Sequence, residues 1–297
     1  MYSLCTYEGL LVSAGGPDIH AWSWDALVAG QDRPPAAVWT TYTADPSART
    51  IEGPIEVNDL AADTQAGNLL AAAGDGRVHI FNIKSQKKLG SLDTPAGGML
   101  HCVNVLPTSR RCITAGEDGI VRFWDLRSTA TTTAHPQQPT DTIDTAGPAN
   151  GNSSGGGGGG GGGTSGSLAT GKWVSCAQVN ANEDWLLCGG GNGVSLWHLR
   201  SNQKTTTFKT SANYYATNAH FTDTGVCAVG NDGTYSTWAM NGDVQLQVGV
   251  SCGVAFSAAR CPTDDPALSG ILTVAGNSPT VDIIASAGHK ASVSLEI

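Results

Sequence analysis

Apolar and polar residues alternate in short runs along this chain, and one arrangement of them returns six times. Each copy begins with apolar or small residues, passes through a short polar turn, and ends in an alternating run. An apolar run is typical of a strand packed on both faces, and alternation is typical of a half-buried strand. Each copy therefore predicts a β-hairpin, because Gly, Asn and Asp in the turn tolerate positive φ. The six copies are LLVSAGGPDIHAWSW (10–24), LLAAAGDGRVHIFNI (69–83), CITAGEDGIVRFWDL (112–126), WLLCGGGNGVSLWHL (185–199), GVCAVGNDGTYSTWA (225–239) and ILTVAGNSPTVDIIA (271–285).

The spacing of these hairpins predicts a β-propeller. Gly74 lies 42 residues before Gly116, and Gly189 lies 41 residues before Gly230. A four-stranded propeller blade occupies about 40–45 residues, and further strand-like runs flank the hairpins. We therefore expect an all-β chain that forms one propeller domain over 1–297, with six four-stranded blades visible. The flanking runs include HCVNVLP (101–107), KWVSCAQVN (172–180), KTTTFKT (204–210) and DVQLQVGV (243–250).

A stretch rich in Thr, Pro, Ser and Gly, residues 128–170, lengthens one of the intervals between hairpins. It contains nine consecutive glycines, from Gly155 to Gly163. Such a composition cannot bury enough apolar surface to offset the entropy lost on ordering. The sequence therefore predicts a disordered insertion within the propeller.

Large side chains recur at or near the end of the alternating strand in five of the six copies. Their repeated position predicts packing between blades rather than stacking on RNA. These structural blade positions are Trp22, Phe81, Trp124, Trp197 and Trp238. Four aspartates beside the hairpins are expected to cap turns rather than act as acids or bases. They are Asp59, Asp75, Asp118 and Asp232.

Charge and composition narrow the classes of partner. The chain has 16 basic against 25 acidic residues, a net charge of −9, whereas proteins that neutralise phosphates carry a basic excess. RNA contact is therefore expected to be indirect or weak. The densest basic cluster is Lys84, Lys87 and Lys88. The sequence has no apolar run long enough to span a bilayer, and the eight cysteines, with no CxxC pair, are expected to be buried thiols.

Nothing in the sequence has the pattern of a catalytic centre. The seven histidines are scattered, with no pair at metal-ligand spacing, no GxSxG elbow and no paired-carboxylate motif. We expect no enzymatic activity, no cofactor, no metal and no small-molecule substrate.

Trp124-Asp125 and the repeat as a whole resemble the WD-repeat family. The stretches CGGG…LWHLRS (188–201) and AGNS…VDI (275–283) are more specific and resemble the THO subunit 6 family of WD-repeat proteins. That resemblance implies a nuclear, non-enzymatic scaffold with other THO complex subunits as partners. It also implies a role in coupling transcription and mRNA processing to nuclear mRNA export.

The THO subunit 6 family is expected to have seven blades, and the resemblance implies that its N-terminal blade is lacking here. Met1 would then be an internal methionine of a longer chain. The chain begins on one strand-like run and ends on another, so no spare strand is left to close a ring. Two explanations stay open: six blades close bluntly, or one blade is missing at the N-terminus.

An alternative function rests on Trp124, Asp125, Leu126 and Arg127. This run resembles the box by which some WD-repeat proteins dock on the adaptor of cullin-4 ubiquitin ligases, where they act as substrate receptors. An arginine just beyond a strand end can reach a partner's carboxylate bidentately. Equally, Asp125 and Arg127 can stabilise the corner of their own blade, and the sequence leaves both interpretations open.

Overall fold

The six predicted hairpins are present, and each lies in an antiparallel sheet of four strands in meander order. The computed structural model describes residues 3–29, 36–42, 55–95, 98–127, 137–145, 172–260, 271–285 and 290–294. Each sheet is one blade, and the described residues form an all-β propeller with six four-stranded blades. The predicted fold class is confirmed.

The first three blades follow one another along the chain. Blade 1 comprises β1 (Ser3–Tyr7), β2 (Leu10–Gly15), β3 (Asp18–Ser23) and β4 (Trp39–Tyr42). Blade 2 comprises β5 (Val57–Asp63), β6 (Asn68–Ala73), β7 (Arg77–Asn82) and β8 (Lys87–Asp93). Blade 3 comprises β9 (Leu100–Val105), β10 (Arg111–Gly116), β11 (Ile120–Asp125) and β12 (Asp141–Asp144).

The other three blades have the same strand order. Blade 4 comprises β13 (Val174–Val179), β14 (Trp185–Gly190), β15 (Gly193–His198) and β16 (Gln203–Thr207). Blade 5 comprises β17 (Ala216–Phe221), β18 (Val226–Gly230), β19 (Thr234–Trp238) and β20 (Val244–Gly249). Blade 6 comprises β21 (Ala255–Arg260), β22 (Leu272–Gly276), β23 (Thr280–Ile284) and β24 (Lys290–Ser294).

One short helix was not expected. Helix α1 (Trp24–Val28) connects β3 to β4, and the Ser23 hydroxyl caps it by accepting a 3.3 Å hydrogen bond from the Ala26 N–H. No helix in the described ranges is long and apolar enough to cross a membrane.

Part of the predicted disordered insertion is ordered. Within 128–170 the structure describes residues 137–145, of which Asp141–Asp144 form β12, the outer strand of blade 3. Ile143 is buried, and the Thr140 N–H donates to the Phe123 carbonyl at 2.7 Å. The open edge of β11 supplies the backbone partners that composition alone does not reveal. The rest of the predicted insertion lies outside the described residues.

The first strand of several blades carries a bulge whose side chain reaches the neighbouring blade. The pairing register shifts around Asn58 in β5 and around Thr217 in β17. Asn58 Nδ2 donates to the Leu100 carbonyl at 2.7 Å, and Thr217 Oγ1 donates to the Ala255 carbonyl at 2.5 Å. These polar bonds join the first strands of consecutive blades beside the apolar packing.

Packing divides the chain into two compact units. One unit contains Met1–Ile143 and Val174–Glu183, and the other contains Asp144–Trp173 and Asp184–Ile297. Buried apolar clusters lie between blades 1 and 2, between blades 2 and 3, and between blades 5 and 6. That residues 1–297 form a single domain stays a prediction.

Candidate interaction sites

The corner of blade 3 contains the run from Trp124 to Arg127. Arg127 donates from Nε to Asp125 Oδ1 at 2.9 Å and from Nη2 to Asp125 Oδ2 at 2.6 Å. The backbone N–H of Arg127 also donates to Oδ1 at 2.9 Å. These side-chain and backbone hydrogen bonds lower the pKa of Asp125 to about 2. Asp125 and Arg127 therefore form an ion pair within one chain at any physiological pH.

This geometry bears on the two interpretations of the corner. Trp124 and Leu126 are buried, so only Asp125 and Arg127 present polar groups at the surface. The guanidinium is already bidentate on the carboxylate of its own chain. The arrangement favours a role in holding the blade corner and does not support docking on a ligase adaptor.

Blade 4 has a related corner without the carboxylate. The run is Trp197-His198-Leu199-Arg200, and Arg200 is exposed. His198 Nδ1 lies 2.9 Å from Ser201 Oγ, and its ring stacks obliquely on Trp185 with centroids 5.0 Å apart. Arg200 therefore offers a matched control for any experiment on Arg127.

The recurrent aromatic residues lie on the third strands of blades 1 to 5. Phe81, Trp124, Trp197 and Trp238 are buried, whereas Trp22 is half-buried.

Two of the indoles make the same kind of hydrogen bond, each to a hydroxyl of its own blade. Trp124 Nε1 donates to Thr114 Oγ1 at 2.9 Å, and Trp22 Nε1 donates to Ser13 Oγ at 3.0 Å. In each hairpin, one residue of the second strand pairs with the tryptophan of the third strand. The residue that carries the hydroxyl comes two positions after that pairing residue. Blade 5 has Ala228 at that position, and the buried Nε1 of Trp238 has no hydrogen-bond partner among the described residues.

Three of the four aspartates cap turns as predicted. Asp75, Asp118 and Asp232 each accept a 3.1 Å hydrogen bond from the backbone N–H two residues ahead. The prediction for Asp59 was wrong, because Asp59 lies within β5.

The Asp59 carboxylate joins three blades. Its Oδ1 accepts from Ser3 Oγ at 2.8 Å and from the Leu60 N–H at 2.9 Å. Its Oδ2 accepts from the Val103 N–H at 3.0 Å. Desolvation raises its pKa from 3.8 to about 6, and the three hydrogen bonds offset part of that rise. No local pattern around Asp59 indicates this role, since two of the donors come from β1 and β9.

Asp59 gives the folded chain a specific pH dependence. Between about pH 4 and pH 6 the unfolded chain releases this proton while the folded chain keeps it, so stability falls as the pH rises. We expect the difference in unfolding free energy between wild type and Asp59→Asn to decrease by about 2 kcal/mol from pH 4 to pH 7. Urea titrations of both proteins across this range measure it. A difference that stays constant with pH would contradict the assignment.

The described residues contain no group of three or more His, Cys, Asp or Glu side chains placed to hold a metal ion. No disulfide joins the seven cysteines in the described ranges. In the basic cluster Lys84, Lys87 and Lys88 are exposed, and Lys84 Nζ lies 3.7 Å from Glu8 Oε2. This is the arrangement of a solvated surface, and weak or indirect RNA contact stays a prediction.

A cleft of about 370 Å³ opens between blades 5 and 6. Polar side chains contribute much of its lining, and the cleft was not predicted from the sequence. The available signal was Ile284, which ends the third strand of blade 6 where five blades have an aromatic residue. Its lining includes His220, Tyr235, Thr237, Gln245, Leu246, Arg260, Leu272 and Ile284.

Comparison with known proteins agrees with this architecture. The model of the WD domain, G-beta repeat, matches residues 86–125, from the turn before β8 to the end of β11. THO complex subunit 6 of Homo sapiens is 27% identical over an alignment of 298 residues. The alignment covers 98% of this chain and 76% of the human protein. The Danio rerio homolog is 26% identical over 98% of this chain and 79% of its own length. The chain is a β-propeller that matches the WD-repeat model over 86–125 and is similar to THO complex subunit 6.

The similarity to THO complex subunit 6 extends beyond animals. The Arabidopsis thaliana THO complex subunit 6 is 22% identical over 78% of this chain and 53% of its own length. The resemblance inferred from the motifs at 188–201 and 275–283 is confirmed.

Proposed function

We propose that this chain is a subunit of a THO complex and acts by binding, without catalysis. The observation that carries the proposal is its similarity, over 98% of the chain, to proteins named THO complex subunit 6. The other THO subunits are the proposed partners. The proposed site of action is the nucleus, where the complex would couple transcription and mRNA processing to mRNA export.

The surface of the propeller supports a binding role. A few large apolar side chains are exposed, and such residues supply most of the affinity when a partner desolvates them. Trp24 and Val28 are 48% and 66% exposed and lie four residues apart on helix α1, and Val38, which directly precedes β4, is 57% exposed. An acidic chain with these anchors is suited to protein partners more than to a phosphate backbone.

The proposal is tested by affinity purification from nuclear extract. Tagged wild type, Arg127→Ala and Arg200→Ala are purified in parallel, and co-purifying proteins are identified by mass spectrometry. We expect all three to recover THO subunits in equal amounts, because Arg127 is engaged by Asp125 of its own chain.

The same experiment tests the ligase alternative. If Arg127 were a docking residue, wild type and Arg200→Ala would recover the cullin-4 ligase adaptor and Arg127→Ala would not. Recovery of the adaptor in that pattern, without THO subunits, would overturn the proposed function.

A further inference from the structure

The cleft between blades 5 and 6 differs from the junction between blades 2 and 3 at matched positions. Strand pairing defines the match, because each blade repeats the same hairpin register. In blade 2, Leu70 pairs with Ala61 and Ile80. In blade 5, Cys227 occupies the place of Leu70, and the residues that pair with it are His220 and Thr237.

The facing blades match in the same way. In blade 3, Cys112 pairs with Val105 and Trp124. In blade 6, Leu272 pairs with Arg260 and Ile284. Ile284 therefore occupies in blade 6 the position that Trp124 occupies in blade 3, and its side chain is smaller than the indole.

The two junctions have different consequences for packing. All six positions between blades 2 and 3 are apolar and belong to one cluster, in which Trp124 is fully buried. Between blades 5 and 6, an imidazole, a hydroxyl and a guanidinium replace three apolar groups. His220 and Thr237 are half-buried and Arg260 is exposed, so this junction is less apolar and less closed than the junction between blades 2 and 3. Ile284 also fills less volume than an indole would. When one copy of a repeat departs from the residue pattern of the other copies, the departure points to a function of that copy.

We propose that this cleft binds an aromatic side chain, of the size of tryptophan, from an extended segment of a partner protein. An indole is the group that fills the matched volume between blades 2 and 3. The apolar part of the lining consists of Leu246, which is half-buried, and of Leu272 and Ile284, which are 6% and 2% exposed. The cleft volume of about 370 Å³ lies in the range of ligand-binding pockets.

Polar groups of the cleft provide hydrogen bonds for the ring edge and the partner backbone. His220 is half-buried, and its Nε2 lies 2.9 Å from Cys227 Sγ, which leaves Nδ1 as the ring nitrogen for a ligand. Desolvation together with the charge of Arg260 lowers the pKa of His220, which favours the neutral imidazole. Gln245 and Thr237 add an amide and a hydroxyl.

Arg260 and Asp223 form a 2.6 Å ion pair with side chains 39% and 75% exposed. An exposed pair contributes little to stability and serves here as a polar rim. Aromatic anchors in such pockets dominate many protein interfaces. This inference does not depend on the THO assignment.

The probe is N-acetyl-tryptophanamide, and its binding to the full chain is monitored by NMR titration. We expect saturable binding to wild type and at least tenfold weaker binding to Ile284→Trp, because the new indole fills the cleft. Thr237→Ile, which restores the residue found at the matched position of blade 2, is expected to weaken binding in the same direction. Leu89→Trp adds an indole at a 44% exposed position that does not line the cleft, and it should bind the probe as wild type does.

Three results would overturn the inference. The probe fails to bind wild type, or it binds Ile284→Trp as tightly as wild type, or free tryptophan binds more tightly than the capped amide. The last result would indicate a small-molecule site rather than a protein segment. If Ile284→Trp does not fold, the test is made with Thr237→Ile. Binding of the probe to that variant as tightly as to wild type would then overturn the inference.

Discussion

Replacing Trp124 with Ala is expected to lower the free energy of unfolding by about 3–5 kcal/mol. The indole is 0% exposed and packs in the cluster between blades 2 and 3. Its removal leaves a cavity among rigid strands and also deprives the Thr114 hydroxyl of its donor. Urea or thermal unfolding of the two proteins measures the loss.

The hydrogen-bond part of this effect can be separated from the packing part. Thr114→Val keeps the shape of the side chain but leaves a buried indole N–H unpaired, which costs about 1–3 kcal/mol. Thr114→Ser is the matched control, because it keeps the hydroxyl that accepts the hydrogen bond from the Trp124 indole. Wild-type stability in the Thr114→Val protein would contradict the role of the bond.

Replacing Gly116 with Ala is expected to lower the free energy of unfolding by about 2–3 kcal/mol. A Cβ at this position would overlap the Met99 carbonyl oxygen and lie 3.0 Å from Leu100 Cα, both of them backbone atoms. The start of β9 would have to move away from β10, which disturbs the pairing of both strands. Denaturant unfolding of the variant measures the cost.

Gly90→Ala is the control for this substitution. Gly90 lies in β8, and a Cβ there would meet no atom within 4 Å. Since Ala restricts the unfolded chain more than Gly does, this variant is expected to be neutral or more stable by up to about 1 kcal/mol. Equal effects of the two substitutions would show that the close approach at Gly116 is unimportant.

The same overlap explains why glycine recurs in the sequence. A Cβ at Gly230 would overlap the Tyr215 carbonyl oxygen, and a Cβ at Gly276 would overlap that of Val254. Each of these glycines ends the second strand of its blade, where the start of the first strand passes close by. At Gly116, Gly230 and Gly276 the recurring glycine therefore meets a steric requirement of the blade, whereas a Cβ at Gly74 would lie 3.7 Å from the nearest atom.

The hairpins and most strands were predictable because alternation and turn chemistry act over a few residues. Strand β12 was not, since Asp141–Asp144 lies in a stretch whose composition is typical of disorder. Its order depends on pairing with the edge of β11. Local composition holds no information on that pairing.

The candidate sites were less predictable for the same reason. Asp75 and Asp118 cap turns within their own hairpins, and local sequence was sufficient to assign them. Asp59 takes donors from β1 and β9, and only the assembled blades bring these together. The cleft of blades 5 and 6 required a comparison of matched positions, for which Ile284 was the one visible sign in the sequence.

The most direct test of the proposed function is reconstitution with purified THO subunits. The chain is mixed with the remaining subunits of the complex, and the product is followed by size-exclusion chromatography and mass photometry. We predict that the chain joins the complex at a fixed stoichiometry, as expected for a subunit. Elution of the folded chain apart from an intact complex, at every ratio, would contradict the assignment.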